Sequence, residues 1–305
     1  MATSVRTWGS ALTSGTWVSP RTIKRTEGEV VNSIQYVRPH HLLRYTNLKA
    51  WPIFFFQHLE SPVGFFSRSS IIIYLISCRY CLNYKGIPYH TVWVEYPDIE
   101  DLCKKIGAPP TGVKADGSPL YTLPVIYDPS TNTTHSESIL IAEYLDAKYP
   151  DRPELIPRGT RALQHMFSDV YLTTILPLLQ FGLPAVHKIL NPASQGYFRV
   201  QREKKFGKTL ETLTPTGVAR EEEWAKVRKG FDTVDRWLQK GKMDGPWFLG
   251  QQHSFADFVV GGWLMWIRQI FGESSPEWTD IRTWNEGRWA TFVEGIEKYE
   301  SYATC

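Results

Sequence analysis

Pro124 constrains this chain more than any other residue. It stands in Thr122-Leu-Pro-Val-Ile126, an apolar run whose Leu123, Val125 and Ile126 favour a strand. Proline cannot donate to a sheet ladder. Two readings fit: the start of an edge strand, or a cis Leu123–Pro124 bond. The second turns the Leu123 main-chain N–H and C=O outward, where they can pair with a peptide. Asp128-Pro-Ser-Thr-Asn132 then supplies turn chemistry that joins two strands as a hairpin. Ser138 opens a run of Ile139, Leu140, Ile141, Tyr144 and Leu145 at helical spacing. Residues 121–149 therefore read strand, turn, strand, helix. Glu137-Ser138 falls where the second strand becomes the helix. Unpaired N–H groups and the positive end of the helix dipole suit a ligand carboxylate there. Ser138 as a plain N-cap is the simpler reading, and the two are compatible.

At these residues the sequence becomes familiar. Leu-Pro-Val-Ile, a turn, then Glu-Ser-x-x-Ile-x-x-Tyr-Leu resembles the glutathione-binding half of a glutathione S-transferase. Leu82-Asn-Tyr-Lys-Gly-Ile-Pro-Tyr-His-Thr-Val-Trp-Val-Glu-Tyr96 and Gly107-Ala-Pro-Pro-Thr-Gly112 are similar to the fungal FuA class, kin of the bacterial lignin β-etherases. The resemblance runs from about Arg79 to near the C-terminus.

It implies an α+β/α chain: a thioredoxin-like N-terminal domain over residues 51–150, then an all-α domain over 158–305. The proline-rich stretch 149–158 is the linker, and residues 1–50 are expected to be a disordered leader. The resemblance also implies a reaction. Glutathione thiolate is the nucleophile, and the enzyme binds the tripeptide and lowers the sulfur's pKa. Carried over residue by residue, the Leu123 backbone beside Pro124 takes the cysteinyl peptide group, and Glu137 with Ser138 takes the γ-glutamyl end. The second substrate implied is an apolar aromatic, such as an aryl ether or a wood-derived phenolic. Homodimerisation is the family expectation. A non-catalytic, ligandin-like carrier of glutathione and aromatics is the alternative.

One part departs from the pattern. In FuA-like proteins a Trp-Ser-Pro run carrying the activating hydroxyl leads directly into the phrase that here reads Arg79-Tyr-Cys-Leu-Asn-Tyr-Lys-Gly86. Here Ile72 to Ser77 stands immediately upstream instead. Ser61, in Ser61-Pro-Val-Gly-Phe-Phe-Ser-Arg68, is the candidate hydroxyl. The departure points to an altered segment, such as translated intron sequence. Sequencing the transcript checks this: a spliced message that encodes residues 52–77 unchanged excludes it.

Composition narrows the remaining classes. A hydrophobic share of 42% and a charged share of 21% suit a soluble globular chain long enough for two domains. A formal charge of +3 with no long Lys/Arg block argues against a nucleic-acid partner. Residues 51–76 are locally apolar, but His58, Glu60 and Arg68 with Pro52, Pro62 and Gly64 cut the run into pieces too short to span a membrane. A buried strand fits residues 71–76. Four cysteines in 305 residues suit a reducing compartment, and a cytoplasmic location is expected. The first 25 residues carry Arg6, Arg21, Lys24 and Arg25 and no acid, a composition that also fits a mitochondrial presequence. Cys78-x-x-Cys81 invites a redox reading. Gly86-Ile-Pro88 ends its helix too soon for the dipole to activate either thiol, so inert cysteines are expected. No metal is expected.

Residues 90–95 read as a second strand, 98–106 as a short helix and 111–120 as a loop. From Gly159 the pattern is helical. Ala162, Met166, Phe167, Val170, Tyr171 and Leu172 give one apolar face, and Pro177 and Pro184 break or kink the segment after it. Residues 197–208 read as a charged helix and 210–219 as a loop. Residues 221–240 form an amphipathic helix with Trp224, Val227, Phe231, Val234 and Leu238 inward. Ser254-x-x-Asp257 is a capping box ahead of the apolar run 258–267. Its loss through Asp257→Ala is expected to cost about 1–2 kcal/mol. Trp263 and Trp266 are read as core, with one of them available to line a pocket.

Overall fold

The structure is a computed structural model, and it describes residues 53–58 and 72–300. The candidate leader 1–50 and the candidate hydroxyl Ser61 lie outside the described residues.

A mixed sheet forms the first layer. Strand β1 (Ile53–His58) runs parallel to β2 (Tyr89–Val94), from Ile53 opposite Tyr89 to His58 opposite Val94. Antiparallel β5 (Val125–Asp128) lies on its other side, with Phe55 opposite Ile126. Strand β6 (Thr133–Ser136) closes the hairpin expected from residues 128–132, giving the order β2-β1-β5-β6. Phe55, Val125 and Ile126 are fully buried, as befits strands covered by helices.

Helix α1 (Ile72–Tyr84) corrects one expectation. The Ile-rich run does not form a strand; it makes the first turns of this helix. β-Branched residues favour strands only weakly, and packing overrides them. A 3₁₀ turn (Tyr96–Asp98) leads to α2 (Ile99–Ile106), whose last turn ends at Gly107 with φ 70°. The loop expected at 111–120 contains a small ribbon of β3 (Gly112–Val113) and β4 (Pro119–Leu120). Helix α3 (Ser138–Lys148) completes the layer.

The rest of the described chain is helical. Helix α4 (Arg161–Ile175) passes through a 3₁₀ turn at Leu176–Leu178 into α5 (Leu179–Ile189), with Pro177 in the turn and Pro184 inside α5. Helix α6 (Pro192–Phe206) and one-turn α7 (Leu210–Leu213) precede α8 (Gly217–Gly241). Residues 210–219 are thus not simply a loop. Helix α9 (Phe255–Phe271) is buried along most of its length. It is followed by α10 (Pro276–Ile296), which is broken at residues 284–287, and a final 3₁₀ turn at Glu297–Tyr299.

The face read on α4 splits. Tyr171 is buried and Phe167 and Leu172 are half-buried, but Met166 and Val170 face outward. Along α8, Val227, Phe231, Val234 and Leu238 are buried as expected. Trp224 is only half-buried, and its indole N–H donates to Asp280 at 2.8 Å. Trp263 and Trp266 are both closed off in the core, edge to face at 5.3 Å, so neither lines an open pocket.

Helix α1 packs on α9, which brings the two layers together. Gly261 allows the approach: a Cβ there would lie 2.0 Å from Ile296 Cδ1 and 3.3 Å from Tyr80 Cε2. The end of the described chain also holds α1. Asn83 donates to the Tyr299 carbonyl at 2.7 Å, and Tyr80 donates to Glu300, which also accepts from Arg268 at 2.9 Å.

His253 sits in this junction among the rings of Trp247, Tyr84, Phe258 and Tyr299. Its Nδ1 has no hydrogen-bond partner among the described residues, and burial lowers its pKa to about 4. The native value lies below the ordinary 6.5. The stability it contributes is therefore present above the unfolded pKa and lost as the pH falls through the window down to the native one. His253→Phe keeps a ring in the cluster and removes the titrating group. The variant is expected to lose less thermal stability than the parent between about pH 7 and pH 5, which paired thermal melts measure.

Candidate functional site

The site begins where the sheet ends. The Leu123–Pro124 bond is cis, the second of the two readings of this stretch. Leu123 precedes the first ladder residue of β5, since Val125 pairs with Phe56 on one side and Ser136 on the other. No main-chain hydrogen bond ties Leu123 to another described residue. Its side chain is buried, so the anchor lies in the core while the main chain stays outside both ladders.

The segment before it is stitched to the sheet. Thr122 Oγ1 meets Thr111 Oγ1 at 2.9 Å, and the Thr111 N–H donates to the Leu120 carbonyl. Thr134 Oγ1 donates to Gly107 O at 2.8 Å and Ser136 Oγ to Pro109 O at 2.9 Å. These bonds fix the Gly107-Ala-Pro-Pro-Thr-Gly112 phrase beside β6.

Ser138 is not itself the N-cap: Glu137 holds that position and Ser138 is the first helical residue of α3. Glu137 has φ 71° and ψ 123°, in the left-handed half of the map that non-glycine residues avoid. Such outliers gather at ligand clamps. The turn points the Glu137 side chain to the surface while Ser138 is buried. Burial by the surrounding protein nonetheless raises the Glu137 pKa. No side chain caps α3, and its first turn holds no acid, so the positive end of its dipole is not neutralised from within the helix. The mouth of α3 therefore offers a carboxylate beside N–H donors, matched to a group that carries both an ammonium and a carboxylate.

Cys78 closes this corner from behind. Its thiol donates to the Ser138 carbonyl at 4.0 Å, linking α1 to α3. Burial, then the nearby Glu137 charge, pushes its pKa well above the usual thiol value, and burial likewise raises Cys81. Neither forms a disulfide. Both are buried within α1, away from its N-terminus, the placement expected of inert helix-face cysteines.

Sequence reasoning missed the residues that hold this corner to the rest of the protein. Lys85, fully buried, donates to Asp146 Oδ1 at 2.7 Å and to Pro153 O at 3.0 Å. Asp146 also accepts from the Leu155 and Ile156 N–H groups. Glu95, at the end of β2, accepts from Asn191 at 2.8 Å and from Ser194 at the start of α6. Lys85 and Glu95 stand in phrases the sequence singled out, but nothing in their spacing marks a role.

A thioredoxin-like layer carrying a ligand-ready strand edge, followed by an all-helical layer, defines a glutathione-transferase type of protein. Comparison with known proteins agrees. Residues 76–148 match the N-terminal domain of glutathione S-transferases and residues 162–299 their C-terminal domain. A glutathione S-transferase of Ceriporiopsis subvermispora, solved in complex with glutathione, is 42% identical with a TM-score of 0.77, covering 83% of this chain and 100% of that one. Glutathione transferase GSTFuA3 from Phanerochaete chrysosporium is 37% identical with a TM-score of 0.77, covering 83% and 99%. The glutathione S-transferase-like protein ustS of Aspergillus flavus is 30% identical over 261 residues, 78% of this chain and 92% of that protein. The chain belongs to the glutathione S-transferase family.

Proposed function

We propose that this protein transfers glutathione to, or cleaves with it, an apolar aromatic substrate. The observation that carries the reading is the pairing of a main-chain edge at Leu123 with the mouth of α3 at Glu137 and Ser138. Glutathione lies along that edge, its cysteinyl peptide group on the Leu123 main chain beside Pro124. Its γ-glutamyl ammonium meets Glu137, and its carboxylate meets the N–H and hydroxyl groups of Ser138. Ser61 donates to the sulfur and favours the thiolate, which is the reactive form. The kinship of the FuA-like phrases with lignin β-etherases supports aryl ethers and wood-derived phenolics as the substrate class. The reduced, buried thiols suit a cytoplasmic enzyme. The division into a leader over 1–50 and domains over 51–150 and 158–305 belongs to the same proposal.

Dimerisation belongs to it too. Leu163, Met166 and Val170 form an exposed apolar stripe on α4, and Leu140 is exposed on α3. Glu143 joins these two helices through Arg161 and His165. The continuous run Arg161–Ile189 is apolar and long enough to cross a membrane by length and composition alone. Tyr171, Ile175, Leu178 and Phe181 are instead buried in the helical layer.

The test is turnover of an aromatic electrophile and of an aryl ether with glutathione. Ser61→Ala is expected to lower kcat on the order of a hundredfold, the scale of losing one oriented donor. Absence of turnover with both substrate classes sinks the reading. Glu137→Gln is expected to raise the glutathione KM about tenfold with a smaller change in kcat, because one charge-assisted bond is lost. The ammonium binds the deprotonated acid, so affinity in the parent falls as the pH drops through the raised Glu137 pKa. The variant is expected to lack that dependence, and calorimetric titration across pH reads both effects.

A further inference from the structure

Helix α6 carries two faces of opposite character. Asn191, Ser194 and Phe198 point inward, where Glu95 and Tyr96 hold them. On the other side Ala193, Tyr197, Val200 and Lys204 recur at i, i+4, i+7 and i+11, and all are exposed, Val200 at 61% and Tyr197 at 45%. Lys205 and Lys208 are exposed beside them and extend the cationic end. None of the three lysines makes an ion pair among the described residues. The acid that falls within the same turns, Glu203, is turned aside by Arg199, which also takes Glu211. The outward face is therefore apolar at one end and predominantly cationic at the other, where Glu223 lies within electrostatic reach of Lys208. The apolar part of the patch continues onto the β3–β4 ribbon: the Tyr197 phenol lies within electrostatic reach of Lys114, which is paired with Glu100, and neighbouring Val113 is 70% exposed.

We propose that this face docks on an anionic lipid surface. Exposed apolar side chains on a rigid helix seat at the headgroup boundary, a tyrosine suits that boundary, and lysines on the same side meet the anionic headgroups. A single-stranded nucleic acid is a poorer match, because the face is convex, with one aromatic ring and no groove to follow a backbone. The adsorption is peripheral, reversible and sensitive to salt, since the lysines are solvent-exposed. It does not depend on the identity of the second substrate. It places the enzyme where apolar aromatics concentrate.

Co-sedimentation of the full chain with vesicles tests it. Binding is expected with phosphatidylcholine vesicles doped with phosphatidylglycerol, not with phosphatidylcholine alone, and is lost on adding salt. The Lys204→Gln/Lys205→Gln/Lys208→Gln variant is expected to partition on the order of a hundredfold less, about fivefold per lysine. Its melting temperature and its turnover in free solution should match the parent. Val200→Asp, a second variant on the apolar end, is expected to weaken binding in the same way. No binding to the anionic vesicles at low ionic strength overturns the proposal. So does undiminished binding by the triple variant, or retention on heparin or RNA with none on vesicles.

Discussion

Asp146→Ala is expected to cost about 3–5 kcal/mol of folding free energy, the scale set by breaking a buried ion pair from one side. The Lys85 side chain has no exposure, and without Asp146 its ammonium retains only the Pro153 carbonyl among the described residues. The same carboxylate receives the Leu155 and Ile156 N–H groups, so the substitution leaves these donors without their acceptor as well. Chemical denaturation measures the loss. Lys85→Met is expected to cost less, because Asp146 is partly exposed and keeps both linker N–H groups. A parent-like denaturation midpoint for Asp146→Ala would contradict the role given to this pair.

Asp257→Ala is expected to be the next most damaging change, at about 2–4 kcal/mol. A simple cap loss costs about half of that. The capping box is present, but the carboxylate does more than cap: it accepts from the Ser254 N–H at 2.8 Å, the Ser254 hydroxyl at 2.9 Å and the Phe248 N–H at 3.0 Å. Ser254 and Asp257 are wholly buried, so the abandoned donors find no water. Burial outweighs these bonds and raises the Asp257 pKa from 3.8 to about 6. A raised native pKa means that its contribution is greatest below the unfolded value and declines as the pH rises through the native one. The deficit of the variant is therefore expected to be larger at about pH 5 than at about pH 7, which melts at the two pH values resolve.

The elements that chemistry dictates locally were legible in the sequence. Pro124 cannot sit in a central ladder, residues 128–132 can only turn, and Ser254 with Asp257 caps a helix by its own spacing. The corner at Glu137 and Ser138 followed from the same logic, although the sequence put the cap one residue late. Where the outcome rests on neighbours distant in the chain, the pattern misled. Ile72, Ile73 and the residues after them look like a strand in isolation but form α1. Met166 and Val170 look like core on a helical wheel, yet α4 turns them outward and buries Gln164, which accepts from the Ala256 N–H at 2.8 Å. The sequence assigned no role to Lys85, Asp146 or Glu95. Their partners lie on other elements, and no local spacing encodes such a meeting.

The Leu155 peptide gives the linker an unexpected mechanical character. Its N–H goes to Asp146 of the first layer, and its carbonyl receives the Phe255 N–H at the start of α9 in the second, at 2.7 Å. This residue thus adds to the α1–α9 packing in coupling the melting of both halves. Heat should take the molecule apart in a single calorimetric peak rather than two, and domain-wise fraying should be absent until that peptide lets go.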